Sequence, residues 1–280
     1  MGNFYTRTLT AVWIVIFILG GFWLHPVSFF ITGLILLAGA QYEYYTMVKS
    51  TGARPQMITG IISGCSLYIV STLVAAGWAG EEYFLVMIPL ALVTMIAELF
   101  RKQEKPFDSL AHTFFAIIYI AVPFSMFPFS AFSRTGFSSL ITHPDIIFSP
   151  GIIVGFLLLL WANDTGAYLT GVTVGRHRLM ERISPKKSWE GFFGGMITAL
   201  LAAWLLSDWL GILDLTGWII VSLIISIVGT LGDLIESMLK RSTGLKDSGS
   251  IMPGHGGFLD RFDSAIISFP PVYLFISLFG

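Results

Sequence analysis

Between residues 233 and 263 the chain places acids and bases at spacings that could do chemistry. Asp233, Glu236 and Lys240 stand at i, i+3 and i+7, so a helix would carry all three on one face. An i, i+4 pair between Glu236 and Lys240 would by itself only stabilise that helix, and it leaves Asp233 unexplained among Gly232, Leu234 and Ile235. Downstream, LDRFD sets Asp260 and Asp263 three apart, again on one helical face. Two helices with paired carboxylates can converge on one point, where their charges repel unless cations sit between them. Hard oxygen ligands select Mg²⁺ or a similar ion, which keeps part of its shell for water and substrate phosphates. Cys65 is the single cysteine, so neither a thiolate zinc centre nor an intramolecular disulfide is available.

Lys240, Arg241, Lys246 and Arg261 would be superfluous for metal alone, and mixed with carboxylates they suit a polyphosphate whose charge both kinds of group share. Gly254, Gly256 and Gly257 allow close backbone approach and offer amide donors. His255 between them reads as turn residue, phosphate donor or general base, with phosphate donor favoured. Upstream, Asp164 in LLLLWANDTGAYLTGV lies within an apolar run. It is either a hydrogen-bonded structural acid beside Asn163 and Thr165 or, as an intramembrane carboxylate, part of a site. Lys186 and Lys187, packed between Ser184-Pro185 and a tryptophan at a helix start, suit phosphate oxygens or anionic headgroups as well as simple membrane anchoring.

The elements that must position these groups are transmembrane helices. Of the 280 residues, 55% are hydrophobic and 12% charged, about half the charge a soluble domain carries. The apolar residues fall in blocks near membrane-spanning length, which predicts an all-α polytopic membrane protein rather than a β-barrel. Nine spans are expected, at roughly 8–24, 26–48, 57–78, 82–100, 109–130, 151–174, 190–209, 215–240 and 260–279. Pro123 and Pro128 are expected to kink or end the fifth. The first run lacks a small-residue cleavage site and reads as a retained helix rather than a leader. With the N-terminus in the cytosol, only Arg134 of the sixteen Lys and Arg residues falls on the opposite side. That agrees with the positive-inside rule and puts residues 246–263 at the cytosolic face. A composition shift near residue 150 separates five scaffold spans (1–131) and a non-cytosolic linker (132–150) from four catalytic spans (151–280).

The stretch SMLKRSTGLKDSGSIMPGHGGFLDRFD, 237–263, resembles the diagnostic motif of phosphatidate cytidylyltransferases, the CDP-diacylglycerol synthases. Every fixed position of that motif is present, and Met252 stands where Leu, Ile or Phe is usual. WANDTGAYLTGVTVGRHRL and ISPKKSWEG are also similar to that family, with Ser188 where threonine is common. The resemblance is strong over 160–265; the N-terminal half matches only as hydrophobic spans beginning near Arg7–Thr10. It implies a nucleotidyltransferase of phospholipid synthesis that transfers CMP from CTP to phosphatidate, giving CDP-diacylglycerol and pyrophosphate. By the same resemblance Asp233, Asp260 and Asp263 are the metal-centre carboxylates, with Mg²⁺ and a second cation. Lys186, Lys187, Lys240, Arg241 and Lys246 contact phosphates, and Asp164, Ser184, His255, Gly256, Gly257 and Arg261 complete the substrate site. Expected partners are CTP, phosphatidate, surrounding lipids and a second copy in a homodimer, with no nucleic acid. The expected location is a bacterial inner membrane with the site facing the cytosol.

An ion-coupled transporter would also carry intramembrane carboxylates and Gly-broken helices, but near the midplane rather than clustered at one face. A polyprenol kinase-like enzyme that uses CTP is a second alternative, and a prenyltransferase is disfavoured because DDxxD pairs are absent. A lipid-scaffold protein would have no use for the carboxylate pairs.

Overall fold

The structure is a computed structural model that describes residues 2–134, 146–245, 248–249 and 256–279, with the side chains of 2–12, 133 and 134 left aside. It is built from helices α1 Gly2–Trp23, α2 Pro26–Lys49, α3 Met57–Ala75, α4 Glu81–Phe100, α5 Pro106–Ala131, α6 Gly151–Val174, α7 Trp189–Leu210, α8 Leu215–Ser242 and α9 Leu259–Phe279. Among the described residues, α2 to α9 are long and apolar enough to cross a membrane, and α1 adds the apolar stretch Trp13–Trp23. The expected all-α polytopic architecture is therefore the observed one. Two short antiparallel hairpins interrupt it, β1 Phe132–Arg134 with β2 Ile146–Phe148 and β3 Arg178–Met180 with β4 Ser184–Ser188.

The chain forms two compact units, one of Met1–Pro150 with Thr243–Asp260, the other of Gly151–Ser242 with Arg261–Gly280. The first unit is organised around α2. Pro26 at the first helical position and His25 as N-cap start it cleanly, the imidazole Nδ1 accepting the Val27 amide at 3.1 Å. Its face of Phe29, Leu36, Leu37, Ala40, Tyr44 and Tyr45 is fully buried, as are Tyr68 of α3 and Phe124 and Phe127 of α5. The outward sides stay apolar: Leu92, Ile96, Leu99 and Phe100 of α4 are exposed. Such a surface is stable against lipid tails and costly against water.

Pro123 and Pro128 do not end the fifth span. A π-helical turn, Ile117–Ala121, precedes them and the helix runs on to Ala131. A widened turn is one way a helix absorbs the amide that proline lacks.

In the second unit α6 and α7 approach closely through small residues. A methyl at Gly195 would stand 2.7 Å from the Asn163 carbonyl oxygen, so only glycine permits this contact. Small residues at such crossings are the usual means of packing helices in lipid, where hydrophobicity does not distinguish helix from solvent. Trp218, Val221 and Ile225 of α8 are buried, and Phe156 of α6 meets Phe269 of α9 edge-on with ring centroids 5.0 Å apart. A second π-helical turn, Ile225–Gly229, lies just before the α8 segment bearing Asp233.

Candidate active site

The chemistry-bearing turn of α8 follows that π-helical turn, a distortion that recurs at functional sites because it re-aims the next turn's side chains. Asp233 and Glu236 leave α8 on the same face, and Asp263 comes from the first turns of α9. One ligand oxygen of each of the three carboxylates lies within 4.8 Å of the others. Glu236 is fully buried and pairs with Lys240 one turn on, whereas Asp233 and Asp263 are partly exposed. The helix-stabilising pair and the acidic cluster thus use the same glutamate.

Lys187 crosses to this cluster from β4. Its Nζ is 2.6 Å from Asp233 Oδ2 and reaches toward the Thr230 carbonyl at 3.5 Å. The other Asp233 oxygen accepts the Ser237 hydroxyl at 3.2 Å, and Asp263 Oδ1 accepts the Ser264 amide at 2.6 Å. Two lysines therefore stand on three carboxylates, which leaves net negative charge in a small volume. The donor set fits a hard divalent cation: three carboxylate oxygens within reach of one ion, no sulfur, no imidazole.

The basic loop expected between α6 and α7 is a hairpin, and local chemistry explains why it closes. Glu190 in the first turn of α7 accepts the amides of Arg176 and His177 at 3.1 and 3.2 Å and meets His177 Nδ1 at 2.6 Å. Ser188 caps α7 by accepting the Gly191 amide at 3.1 Å. The β4 strand between these anchors then presents Lys186 and Lys187.

Beside the carboxylates a cavity of about 510 Å³ opens within the second unit. Asp164, Asp233, Arg178, Lys186 and Lys187 give its lining charge, and Tyr168, Val172, Leu179 and Phe192 give it apolar surface. A lining of both kinds suits a ligand that carries both phosphate and hydrocarbon.

The remaining expected residues distribute as follows. Asp164 opens onto the cavity, and Lys240 joins the cluster through Glu236. Ser184 pairs with Met180 in the hairpin, and Arg241 and Arg261 are exposed outside the cavity lining. Asp260, Gly256 and Gly257 belong to the first unit. There Asp260 accepts the amides of Ser248 at 3.1 Å and Gly257 at 2.9 Å, and Gly256 takes a positive φ of 80°. Lys246 and His255 lie outside the described residues. The paired-carboxylate reading included Glu236, which the resemblance did not name among the site residues, and Arg178 was not singled out at all. The i, i+3 spacing with Asp233 pointed to Glu236, whereas nothing in the sequence sets Arg178 apart from other arginines of a membrane-proximal loop.

Fold and site together define a polytopic integral membrane protein with the charge layout of a phosphate-handling enzyme. The chain belongs to the Cytidylyltransferase family, whose profile it matches over residues 5–279, and it is a nucleotidyltransferase. It is similar to the phosphatidate cytidylyltransferases of Staphylococcus haemolyticus and Staphylococcus epidermidis, 32% identical over 272 residues, covering 94% of this chain and 95% of each relative. The Staphylococcus aureus protein of the same name matches with the same identity and coverage.

Proposed function

We propose that this chain transfers CMP from CTP to phosphatidate, giving CDP-diacylglycerol and pyrophosphate, at the carboxylate cluster of the second unit. The observation that carries the reading is that cluster itself, Asp233, Glu236 and Asp263 converging with Lys187 on Asp233 beside a cavity lined by both charged and apolar residues. The relatives' names supply the substrate class.

A phosphate oxygen of phosphatidate attacks the α-phosphorus of CTP in line. The bond from that phosphorus to the bridging oxygen breaks, and pyrophosphate leaves with the electron pair. Any proton on the attacking phosphate passes to solvent, so no covalent protein intermediate is needed. Catalysis of this kind is positioning and charge neutralisation. Lys186, Lys187 and Arg178 hold phosphate oxygens, while Tyr168, Val172 and Phe192 face the lipid's glycerol and acyl portion. Asp233, Asp263 and Glu236 would hold Mg²⁺, which would supply charge neutralisation to the triphosphate. Asp260, by its place in the motif, is a candidate for the same centre, as are Lys246 and His255 for phosphate. The positive-inside distribution supports a site at the cytosolic face of a bacterial inner membrane, where CTP arrives from water and phosphatidate slides in laterally.

Purified protein in lipid nanodiscs, given Mg²⁺, CTP and phosphatidate, is expected to form a CMP-bearing lipid and one pyrophosphate per turnover. Diacylglycerol in place of phosphatidate should give none, and chelation with EDTA should stop the reaction until Mg²⁺ is restored. Folded protein that consumed no CTP with any lipid phosphomonoester would overturn the assignment.

A further inference from the structure

The motif loop is gripped by a carboxylate from a distant helix. Glu43 of α2 is 2% exposed, in a span whose neighbouring Ala40 and Tyr44 are also buried. An acid at such a position costs a few kcal/mol on insertion scales, so it requires a compensating use. Its Oε2 accepts the Leu259 amide at 2.9 Å and the Ser248 hydroxyl at 3.4 Å. These partners lie at the two ends of the glycine-rich loop, and Leu259 is the first residue of α9.

A helix start is normally capped from the residue before it, by Ser, Thr, Asp or Asn. Here that residue is Phe258, which cannot cap, and the acceptor comes from 216 residues away. Phe258 instead occupies a slot on α2 at Gly39, where a side-chain carbon would run into its ring. Gly39 and Glu43 are one turn apart on the same face of α2. The loop's own glycines fit the acid: a methyl at Gly249 would lie 2.6 Å from Glu43 Oε1, and one at Gly257 would meet the carboxylate as well. Asp260 adds the second clasp through the amides of Ser248 and Gly257. All of these groups belong to the first unit.

We infer that Glu43 is a positioning residue for nucleotidyl transfer, its buried carboxylate clasping both ends of the glycine-rich loop and setting where α9 begins. The kinetic part rests on the proposed reaction; the clasp itself does not. Glu43 is buried and does not line the cavity beside the carboxylate cluster, so it acts through the loop rather than on substrate.

The test compares Glu43→Ala, Glu43→Gln and Gly249→Ala in the full chain, reading kcat and KM for CTP together with hydrogen exchange of residues 248–259. Loss of the clasp in Glu43→Ala should lower kcat/KM by about a hundredfold, the size expected for a misplacement near 1 Å. The loop peptide should then exchange faster while α2 and α3 keep the parent's protection. Glu43→Gln should stay within about fivefold of the parent, because its amide oxygen still accepts the Leu259 amide. Gly249→Ala, which pushes the loop off an intact Glu43, should reproduce the alanine phenotype and carries the test alone if Glu43→Ala does not fold. Parent-like kinetics and exchange in both alanine variants would overturn the inference. So would a glutamine variant as inactive as Glu43→Ala with an undisturbed loop, since charge rather than grip would then matter. If the parent itself transfers no CMP, the reaction assignment fails, and faster loop exchange in the alanine variants would still decide the clasp.

Discussion

The buried acids of the two units are treated differently. In the first unit Glu98 and Glu43 each turn one oxygen, Oε2, to protein donors. Glu98 Oε2 accepts Gln56 Nε2 at 2.6 Å and pairs with Arg101 at 2.8 Å, while Glu43 takes an amide and a hydroxyl. In the second unit Asp233, Glu236 and Asp263 share one spot and receive two lysines between them. An acid whose charge is met by protein donors is what a low-dielectric interior tolerates for structure. Clustered acids of like charge are what it tolerates only for a ligand that brings positive charge. We read the contrast as separating Glu98, which holds the fold, from the clustered carboxylates of the proposed site, with Glu43 acting between the two through the loop it clasps.

Asp233→Asn and Asp263→Asn should break function and spare the fold, each lowering CMP transfer by about a thousandfold. Their unfolding temperature in detergent should stay at or above the parent's, because each removes one of three repelling charges. Loss of folded protein instead would erase the distinction between the units. Lys187→Ala comes next, with turnover expected to fall by about a hundredfold, since it removes a cation that both neutralises Asp233 and lines the cavity. Steady-state kinetics should show part of that loss in KM for CTP.

The buried Glu98 of the first unit should respond the other way round. Gln56→Leu strips a hydrogen bond from the buried Glu98 and should destabilise the protein by about 2 kcal/mol. Activity per folded molecule should remain at the parent value, as read by thermal unfolding alongside the CMP-transfer assay. Smallest of all, His177→Ala should change turnover by no more than about twofold, because its contact with Glu190 is exposed and the two backbone amides still hold the hairpin. A tenfold loss there would mean the hairpin depends on that side chain.

Much of this was legible along the chain. Span positions follow from apolar run length, which is why the expected stretches at 26–48, 57–78 and 151–174 match α2, α3 and α6 to within a few residues. Asp233 and Asp263 stood out because a carboxylate in an apolar helix is expensive wherever it lies. The hairpin over 178–188 was not legible: its residues carry no alternating apolar pattern, and it closes through Glu190 and backbone amides rather than through strand propensity. Nor was the π-helical turn Ile117–Ala121 legible; it precedes Pro123 and Pro128, and the helix ends at Ala131, close to the expected end of the fifth span.

Length, hydropathy and the i, i+3 acids determined by themselves that this chain is made of apolar helices that carry acids and lysines close together in sequence, because insertion cost and helical periodicity act locally. Which acids meet was decided only by tertiary structure. In sequence Glu236 fits either a helix-stabilising pair with Lys240 or a carboxylate cluster, and the structure brings Asp263 beside it. Glu43 resembles an accident of the α2 span until the loop two hundred residues later folds onto it. Contacts between residues far apart in the chain depend on how helices pack, and no local pattern records that.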